Sequence, residues 1–98
     1  MAALIYTPRS VTDLERLFES LAEKDPGAAA HAAQAIREAI SILERHPLIG
    51  RPVEEGLREL VISHGRTGYM ALYRHLLPDD MVLILALRHQ REGGYRFE

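Results

Sequence analysis

The side chains best suited to catalysis or recognition lie together near the C-terminal end of this sequence. Histidine and tyrosine can act as a general acid–base pair, and arginine and tyrosine are also the residue types enriched at protein interfaces. Gly93 and Gly94 lie within the cluster, and such a flexible pair suits a binding segment better than a preorganised catalytic site. We therefore expect the segment to recognise a protein target, with catalysis and an inert C-terminal tail as the alternatives. The candidate residues are Arg88, His89, Arg91, Tyr95 and Arg96.

Several other kinds of site are missing from the sequence. There is no cysteine, so disulfide bonds, thiolate metal sites and thiol catalysis are excluded. No glycine-rich phosphate loop and no Gly-x-Ser-x-Gly motif is present. The other histidines lack metal-ligand spacing on an element that also offers a carboxylate; they are His31, His46, His64 and His75. We expect neither a metal nor a cofactor.

The charge of the chain is spread unevenly. The 98 residues carry a formal net charge of −2. Residues 57–98 hold six arginines against five acidic side chains, whereas residues 1–56 are net acidic. A protein that depends on phosphate contacts usually has a strong basic excess. The balance argues against a broad nucleic-acid footprint and against sequence-specific DNA binding by this chain alone.

The length and hydropathy of the chain indicate one soluble domain over residues 1–98. The N-terminal residues lack the basic region and the long apolar stretch of a signal peptide. The longest apolar run, residues 81–87, is far shorter than the ~20 residues needed to cross a bilayer. We expect a cytoplasmic protein without membrane contact.

Two amphipathic helices are predicted in the first half of the chain. Thr7-Pro8 and Asp25-Pro26 each offer an N-cap followed by proline at the first helical position. A capping box from Ser10 to Asp13 is an alternative start for the first helix. Apolar residues recurring in steps of three and four then indicate helices over about 8–24 and 26–45. The short break between them predicts an antiparallel helical hairpin.

Strands are predicted on both sides of this hairpin. Residues 2–6 are short and apolar, and three further runs, 57–63, 69–76 and 81–89, are separated by turns. These connections are too short for parallel crossovers, so the last three strands should form an antiparallel meander. The segment 46–52, which contains two prolines, is predicted to be a loop. The position of the first strand in the sheet stays open.

The predicted fold class is α+β, with the order β-α-α-β-β-β. The helical hairpin should cover one face of a small, mainly antiparallel sheet. The last strand is nearly all apolar, which is typical of a strand buried on both faces. The residues expected in the core are Leu14, Leu17, Phe18, Ile36, Ile40, Leu43, Leu60, Ile62, Leu83 and Leu85.

Five stretches of the chain, in this order, resemble the RelE/ParE toxin superfamily. The stretch "TPRSVTDLERLFESLAEKDP" is similar to the first helix of the family, and "ILERHPLIGRPV" to the stretch that enters its sheet. The segments "LRELVI", "GYMALYR" and "VLILALRHQREGGY" resemble its three sheet strands. The resemblance covers almost the whole chain. It implies the toxin of a type II toxin–antitoxin system, neutralised by a cognate, ParD-like antitoxin.

The resemblance also implies one of two mechanisms. RelE-like members cut messenger RNA on the ribosome, whereas ParE-like members inhibit DNA gyrase. RelE-like members place a phosphate-binding arginine in the middle strand, where this chain has Met70, whose thioether has no charge and donates no hydrogen bond. Met70 favours the ParE-like branch, without catalytic residues. For the ribonuclease alternative, the candidates are Arg58, Arg74, Arg88, His89, Arg91 and Tyr95.

Two surfaces could take the antitoxin, which is expected to fold on binding. One is a groove beside the helical hairpin, and the other is an unpaired strand edge. The candidate antitoxin-binding residues are Leu14, Leu17, Phe18, Leu21, Tyr69 and Tyr73, although both tyrosines also suit the core. A third hypothesis is a degenerate toxin that only binds its antitoxin.

Overall fold

In the computed structural model, which describes residues 1–96, two helices pack on one face of a five-stranded sheet. The fold class is therefore α+β, and the predicted order of elements is confirmed, with one short strand added. The elements are β1 (Ala3–Tyr6), α1 (Pro8–Ala22), α2 (Pro26–Ser41), a 3-10 turn (Ile42–Glu44), β2 (Arg51–Pro52), β3 (Leu57–His64), β4 (Thr67–Leu76) and β5 (Met81–His89).

Both helices start where the sequence predicts. Thr7 caps α1 and accepts a hydrogen bond from the backbone N–H of Ser10 at 3.3 Å. Asp25 caps α2 and accepts one from Ala28 at 3.1 Å. The alternative capping box does not form, because Asp13 has a different partner, described below. Neither helix of the described residues has the length and apolar character that crossing a bilayer requires.

The strands lie in the order β1-β5-β4-β3-β2. β3, β4 and β5 form the predicted antiparallel meander. β1 lies at one edge and pairs in parallel with β5, so Ala3 lies opposite Met81. The sheet is thus mainly antiparallel, and the parallel pair of β1 and β5 joins segments that are far apart in sequence.

Two local details differ from the predictions. β2 (Arg51–Pro52) lies inside the segment predicted to be a loop and pairs with β3. A two-residue edge strand containing proline has no periodicity that a sequence pattern could detect. β4 begins at Thr67, earlier than predicted, because the turn before it consists only of Gly65 and Arg66. Gly65 has a φ of 61°, in the left-handed region that glycine adopts without strain.

The core lies between the helices and one face of the sheet, here called the helix face. Ile36 and Ile40 of α2 and Leu43 of the following turn belong to one buried cluster. Ile62 of β3 and Tyr73 of β4 complete its centre. Each buried aliphatic side chain contributes about 1.5–3 kcal/mol. The predicted burial of these four aliphatic residues is confirmed.

The other predicted core residues are less buried. Phe18 is 40% exposed on the outer side of α1. Leu83 lies on the sheet face without helices, here called the open face, and Leu85 lies at an irregularity of β5; both are half-buried. The prediction that β5 is buried on both faces is therefore wrong. Three further residues pack against the core but stay partly exposed: Leu14, Leu17 and Leu60.

Replacing Ile40 by alanine should lower the free energy of unfolding by ~2–5 kcal/mol, because Ile40 is fully buried and its loss leaves a cavity. Ile42, two residues further on and 46% exposed, is the matched control. Ile42→Ala should cost about 0.5 kcal/mol or less. Urea unfolding followed by circular dichroism measures both variants. Equal losses would contradict the packing of α2 on the sheet.

Candidate functional site

A β-bulge in β5 sets the direction of the residues that follow it. The pairing with β4 shifts by one residue between Leu72 and Tyr73, which leaves Leu85 without a partner on β4. Side chains alternate along a strand, so the extra residue exchanges the two faces. After the bulge, Arg88 therefore points to the open face and His89 to the helix face.

Helix α1 holds this bulge by hydrogen bonds. Thr7 donates to the carbonyl oxygen of Ile84, from its hydroxyl at 2.7 Å and from its backbone N–H at 3.2 Å. The Asp13 carboxylate, in a residue only 1% exposed, accepts the backbone N–H of Leu87 at 2.9 Å. A buried N–H without a partner costs about 1–3 kcal/mol. The Asp13 carboxylate thus ties α1 to the strand just before the candidate residues.

An open cleft of about 660 Å³ lies on the helix face, where α1, the start of α2, the start of β4 and the ends of β3 and β5 meet. Leu17 and Leu21 give it apolar surface, whereas Tyr69, which also lines it, is a core residue only 5% exposed. Arg91 and Arg96 line it as well and add positive charge. This combination suits an amphipathic partner segment that carries acidic side chains.

His89 borders the cleft in a fixed orientation. Its Nε2 is hydrogen-bonded to the hydroxyl of Thr67, and its Nδ1 accepts the backbone N–H of Arg91 at 3.1 Å. An accepting Nδ1 leaves the proton of the neutral ring on Nε2, which then donates to Thr67. The ring also meets Tyr69 edge-on, with the ring centroids 5.2 Å apart. With both nitrogens engaged, His89 is better placed to hold the turn than to transfer a proton.

Glu92 fastens the turn after β5 to α1. One carboxylate oxygen accepts the backbone N–H of His89 at 2.9 Å. The other lies 2.7 Å from the guanidinium of Arg16 and 3.4 Å from that of Arg96. Burial alone would raise the pKa of Glu92, but the His89 N–H and the Arg16 charge outweigh burial and lower this pKa. The carboxylate is therefore charged and firmly held.

On the open face, the C-terminal segment folds back over the sheet. Tyr95 donates its hydroxyl to Glu59 of β3 at 2.5 Å. The other oxygen of Glu59 accepts the guanidinium of Arg51, with Nε at 3.0 Å. The guanidinium carbon of Arg88 lies 5.2 Å from the centroid of the Tyr95 ring. These residues, Arg51, Glu59, Arg88 and Tyr95, form the open-face cluster.

The charges within the open-face cluster are well defined. Burial alone would raise the pKa of Glu59, which is 5% exposed, but the hydrogen bonds from Tyr95 and Arg51 outweigh burial and lower this pKa. Burial, together with the bond to Glu59 and its negative charge, raises the pKa of Tyr95. At neutral pH Glu59 is therefore ionised and Tyr95 keeps its proton.

The predicted target-binding residues do not form one patch. Arg88 and Tyr95 belong to the open-face cluster. His89, Arg91 and Arg96 line the cleft on the helix face. Because the sheet lies between the two groups, the acid–base pair suggested for His89 and Tyr95 is not formed in this structure.

The other two ribonuclease candidates lie elsewhere. Arg58 donates to the carbonyl oxygens of Leu48 at 3.0 Å and Gly50 at 2.8 Å, and so fixes the loop before β2. Arg74 shares the open face with Met70, as its spacing predicts. The six candidates therefore do not converge on one point.

The candidate antitoxin-binding residues are divided as well. Leu14 and Phe18 line a groove of about 330 Å³ between α1 and α2. Tyr73 is fully buried, donates its hydroxyl to the carbonyl of Pro47 and accepts the N–H of Gly50, both at 2.8 Å. It is therefore a core residue and not part of a docking surface. Three others line the cleft: Leu17, Leu21 and Tyr69.

Several residues that hold the site were not singled out from the sequence. Asp13 lies one helical turn before Leu17 on the buried side of α1, and a carboxylate there must find a partner inside the protein. Its position on the buried side of α1 was therefore the sequence signal from which a structural role of Asp13 could have been predicted. Glu59 and Arg16 carry no such signal, because their partners are brought close only by the fold.

Comparison with known proteins connects the chain to toxins. A family model described as the ParE toxin of the type II toxin–antitoxin system parDE matches residues 4–93. Toxin RelE3 of Caulobacter vibrioides is 35% identical over 85 residues, covering 87% of this chain and 90% of the relative. Toxin RelE1 of the same bacterium is 34% identical over 73 residues, covering 74% and 78%.

Solved structures agree with these matches. A chain of a chromosomal ParDE toxin–antitoxin system from P. aeruginosa superimposes with a TM-score of 0.73 at 25% sequence identity, over 91% of this chain and 96% of that one. A chain of the toxin–antitoxin complex RelBE2 from Mycobacterium tuberculosis gives a TM-score of 0.61 at 26% identity, over 91% and 98%. Proteins named after ParE and after RelE thus both resemble this chain.

Replacing Asp13 by alanine should lower the free energy of unfolding by ~1–3 kcal/mol, because the buried N–H of Leu87 loses its acceptor. Asp13→Asn keeps an acceptor oxygen and should cost less. Asp79→Ala, at an exposed turn, is the control. Urea unfolding measures stability, and hydrogen exchange reports on the Leu87 amide. Unchanged exchange at Leu87 in Asp13→Ala would show that this bond does not hold the bulge.

Proposed function

Because the chain belongs to the RelE/ParE superfamily of toxins from type II toxin–antitoxin systems, we propose that it is a ParE-like toxin that inhibits DNA gyrase by binding to it. In this proposal a cognate, ParD-like antitoxin silences the toxin, and no cofactor takes part. Gyrase and the ribosome both work in the cytoplasm, so the proposal places the protein there.

The separation of the candidate residues by the sheet supports binding over catalysis. Cleaving RNA through its 2′-OH needs a base, an acid and a cation for the phosphate, all within reach of one bond. His89 lies at the cleft, whereas Arg88 and Tyr95 lie on the open face. Met70 adds no charge to that face. This division is the observation that carries the proposal.

The segment over residues 90–96 presents cations on a fixed support. Arg91 is exposed, and 56% of the Arg96 side chain is accessible. Glu92 holds the segment against Arg16 of α1. A segment whose backbone is already positioned loses less conformational entropy on binding. Arginines presented by such a segment fit the recognition of acidic groups on a protein target.

We place the antitoxin along α1. Val11 and Phe18 are 43% and 40% exposed and lie with Leu14 along one side of the helix. An apolar strip of this kind suits an amphipathic helix of the partner. The same helix borders the cleft that contains Arg91 and Arg96. An antitoxin that follows α1 into the cleft therefore covers the proposed target-binding arginines.

The outer edge of β3 is a second surface for the antitoxin. β2 pairs only with Arg58 and Glu59. Within the described part of the chain, residues 60–64 have no strand beside them on that side. An extended antitoxin segment can add there as a further strand through main-chain hydrogen bonds.

The second candidate function, a ribosome-dependent ribonuclease, is favoured by one observation. The open-face cluster brings the Glu59 carboxylate together with Arg88 and Tyr95. The Nε of Arg88 is buried without a hydrogen-bond partner among the described residues, and a phosphate oxygen could accept from it. Against it, both oxygens of Glu59 are already engaged, by Arg51 and by Tyr95.

The purified toxin should inhibit DNA supercoiling by gyrase and should leave messenger RNA uncut in a translation mix analysed by primer extension.

Arg91→Ala should weaken gyrase inhibition by about 30-fold, the equivalent of a ~2 kcal/mol interface contact. Arg45→Ala, an exposed arginine beyond the far end of α2, is the matched control and should change nothing. Cleaved RNA that disappears in Arg88→Ala, with supercoiling unaffected, would establish the second candidate instead.

Replacing Phe18 by alanine should weaken the toxin–antitoxin complex by about tenfold, because an exposed aromatic side chain on α1 is lost from the proposed interface. Ile42→Ala removes a similarly exposed apolar side chain away from α1 and serves as the control. Calorimetric titration of the co-purified, separated partners gives both dissociation constants. Equal constants for wild type and Phe18→Ala would remove α1 from the antitoxin interface.

A further inference from the structure

Glu59 is a buried carboxylate that contacts the C-terminal segment from the far side of the sheet. It lies on β3, outside the cleft, and accepts the hydroxyl of Tyr95. We propose that Glu59 is a positioning residue, which holds the target-binding segment in place through Tyr95. The inference rests on the function proposed above, because it concerns how that segment is presented to the target.

Arg51 fixes the carboxylate that Tyr95 binds. Arg51 lies opposite Glu59 across the β2–β3 pair, and its Nε is 3.0 Å from the first carboxylate oxygen. The second oxygen accepts from Tyr95 at 2.5 Å. A hydrogen bond to an ionised acceptor is about twice as strong as a neutral one. With both oxygens engaged, Glu59 is suited to holding another side chain, not to taking a proton from a substrate.

The target-binding segment is fastened on both faces of the sheet. Glu92 binds Arg16 of α1 at 2.7 Å on the helix side, and Tyr95 binds Glu59 on the open face. Between these two anchors, residues 93–94 have open space where a Cβ would lie. The structure therefore does not require glycine there for close packing. The path of the segment is set by the two anchors and by Arg88, whose guanidinium donates to the carbonyl oxygen of Glu92 at 2.9 Å, and not by a tight glycine turn.

Losing the Tyr95 anchor should release only the distal part of the segment. Glu92 would still hold the turn that carries Arg91 and would keep its ion pair with Arg96 at 3.4 Å, whereas the backbone over residues 93–95 would lose its fixed path. Glu59 thus acts on the cleft from outside it, by limiting the path of the backbone that leads to Arg96.

The backbone order parameters of the segment test this role without reference to any target. Backbone ¹⁵N relaxation of Gly93 and Gly94 should give order parameters near ~0.85 in the wild type and below ~0.6 in Glu59→Ala and Tyr95→Phe. Glu59→Gln keeps one acceptor oxygen and should restore part of the order. Glu54→Ala, an exposed glutamate before β3, is the control and should match the wild type. If Glu59→Ala does not fold, Tyr95→Phe, which removes a single oxygen atom, gives the same answer.

Gyrase inhibition tests the functional consequence. Glu59→Ala and Tyr95→Phe should each weaken inhibition by about tenfold, because hydrogen bonds to charged groups control how often the segment is in place. The double variant should be no weaker than either single one, since both changes break the same anchor.

The outcomes separate this inference from the proposed function. Order parameters that stay high in Tyr95→Phe and Glu59→Ala overturn the inference, whatever the target is. Losses that add in the double variant also overturn it, because they show that Glu59 acts independently of Tyr95. A wild-type toxin without effect on gyrase refutes the proposed function, and the relaxation data then still decide the role of Glu59.

Discussion

The bond between the Asp13 carboxylate and the backbone N–H of Leu87 is the interaction on which the candidate site depends. It joins α1 to β5 just after the bulge, at 2.9 Å and almost completely out of solvent. A shift of one residue exchanges every side chain between the two faces of a strand. Without the bulge, Arg88 would point towards the helices and His89 away from them. The Arg16 guanidinium, 3.5 Å from the other oxygen of Asp13, partly compensates the buried charge.

This arrangement gives two neighbouring residues of one strand different surroundings. Arg88 lies in the open-face cluster, where Glu59 accepts a hydrogen bond from Tyr95, and its own Nε has no hydrogen-bond partner among residues 1–96. His89 borders a cleft with apolar walls and arginines at its rim. The cluster is suited to fixing the chain and the cleft to receiving a partner. The C-terminal segment connects them, and in the role proposed for Glu59 the open face limits the geometry of the cleft.

Much of the fold could be predicted because its signals are local. Thr7-Pro8 and Asp25-Pro26 are two-residue signals, and each marks the start of one helix. The short connections between the last three strands require an antiparallel meander. The bulge could not be predicted, because every register of an all-apolar strand has the same pattern. The site was predicted as a set of residues but not as an arrangement. Nearness in sequence does not place side chains on one face, and Tyr95 finds its partner Glu59 36 positions away.

The parallel pairing of β1 with β5 has a consequence for the synthesis of the protein. The first strand to leave the ribosome must wait for the last one, because Ala3 lies opposite Met81. Pairings between such distant segments also form slowly, since a long loop has to close first. The bond that fixes α1 at Leu87 has the same requirement. The cleft therefore cannot form on the nascent chain before β5 has been synthesised.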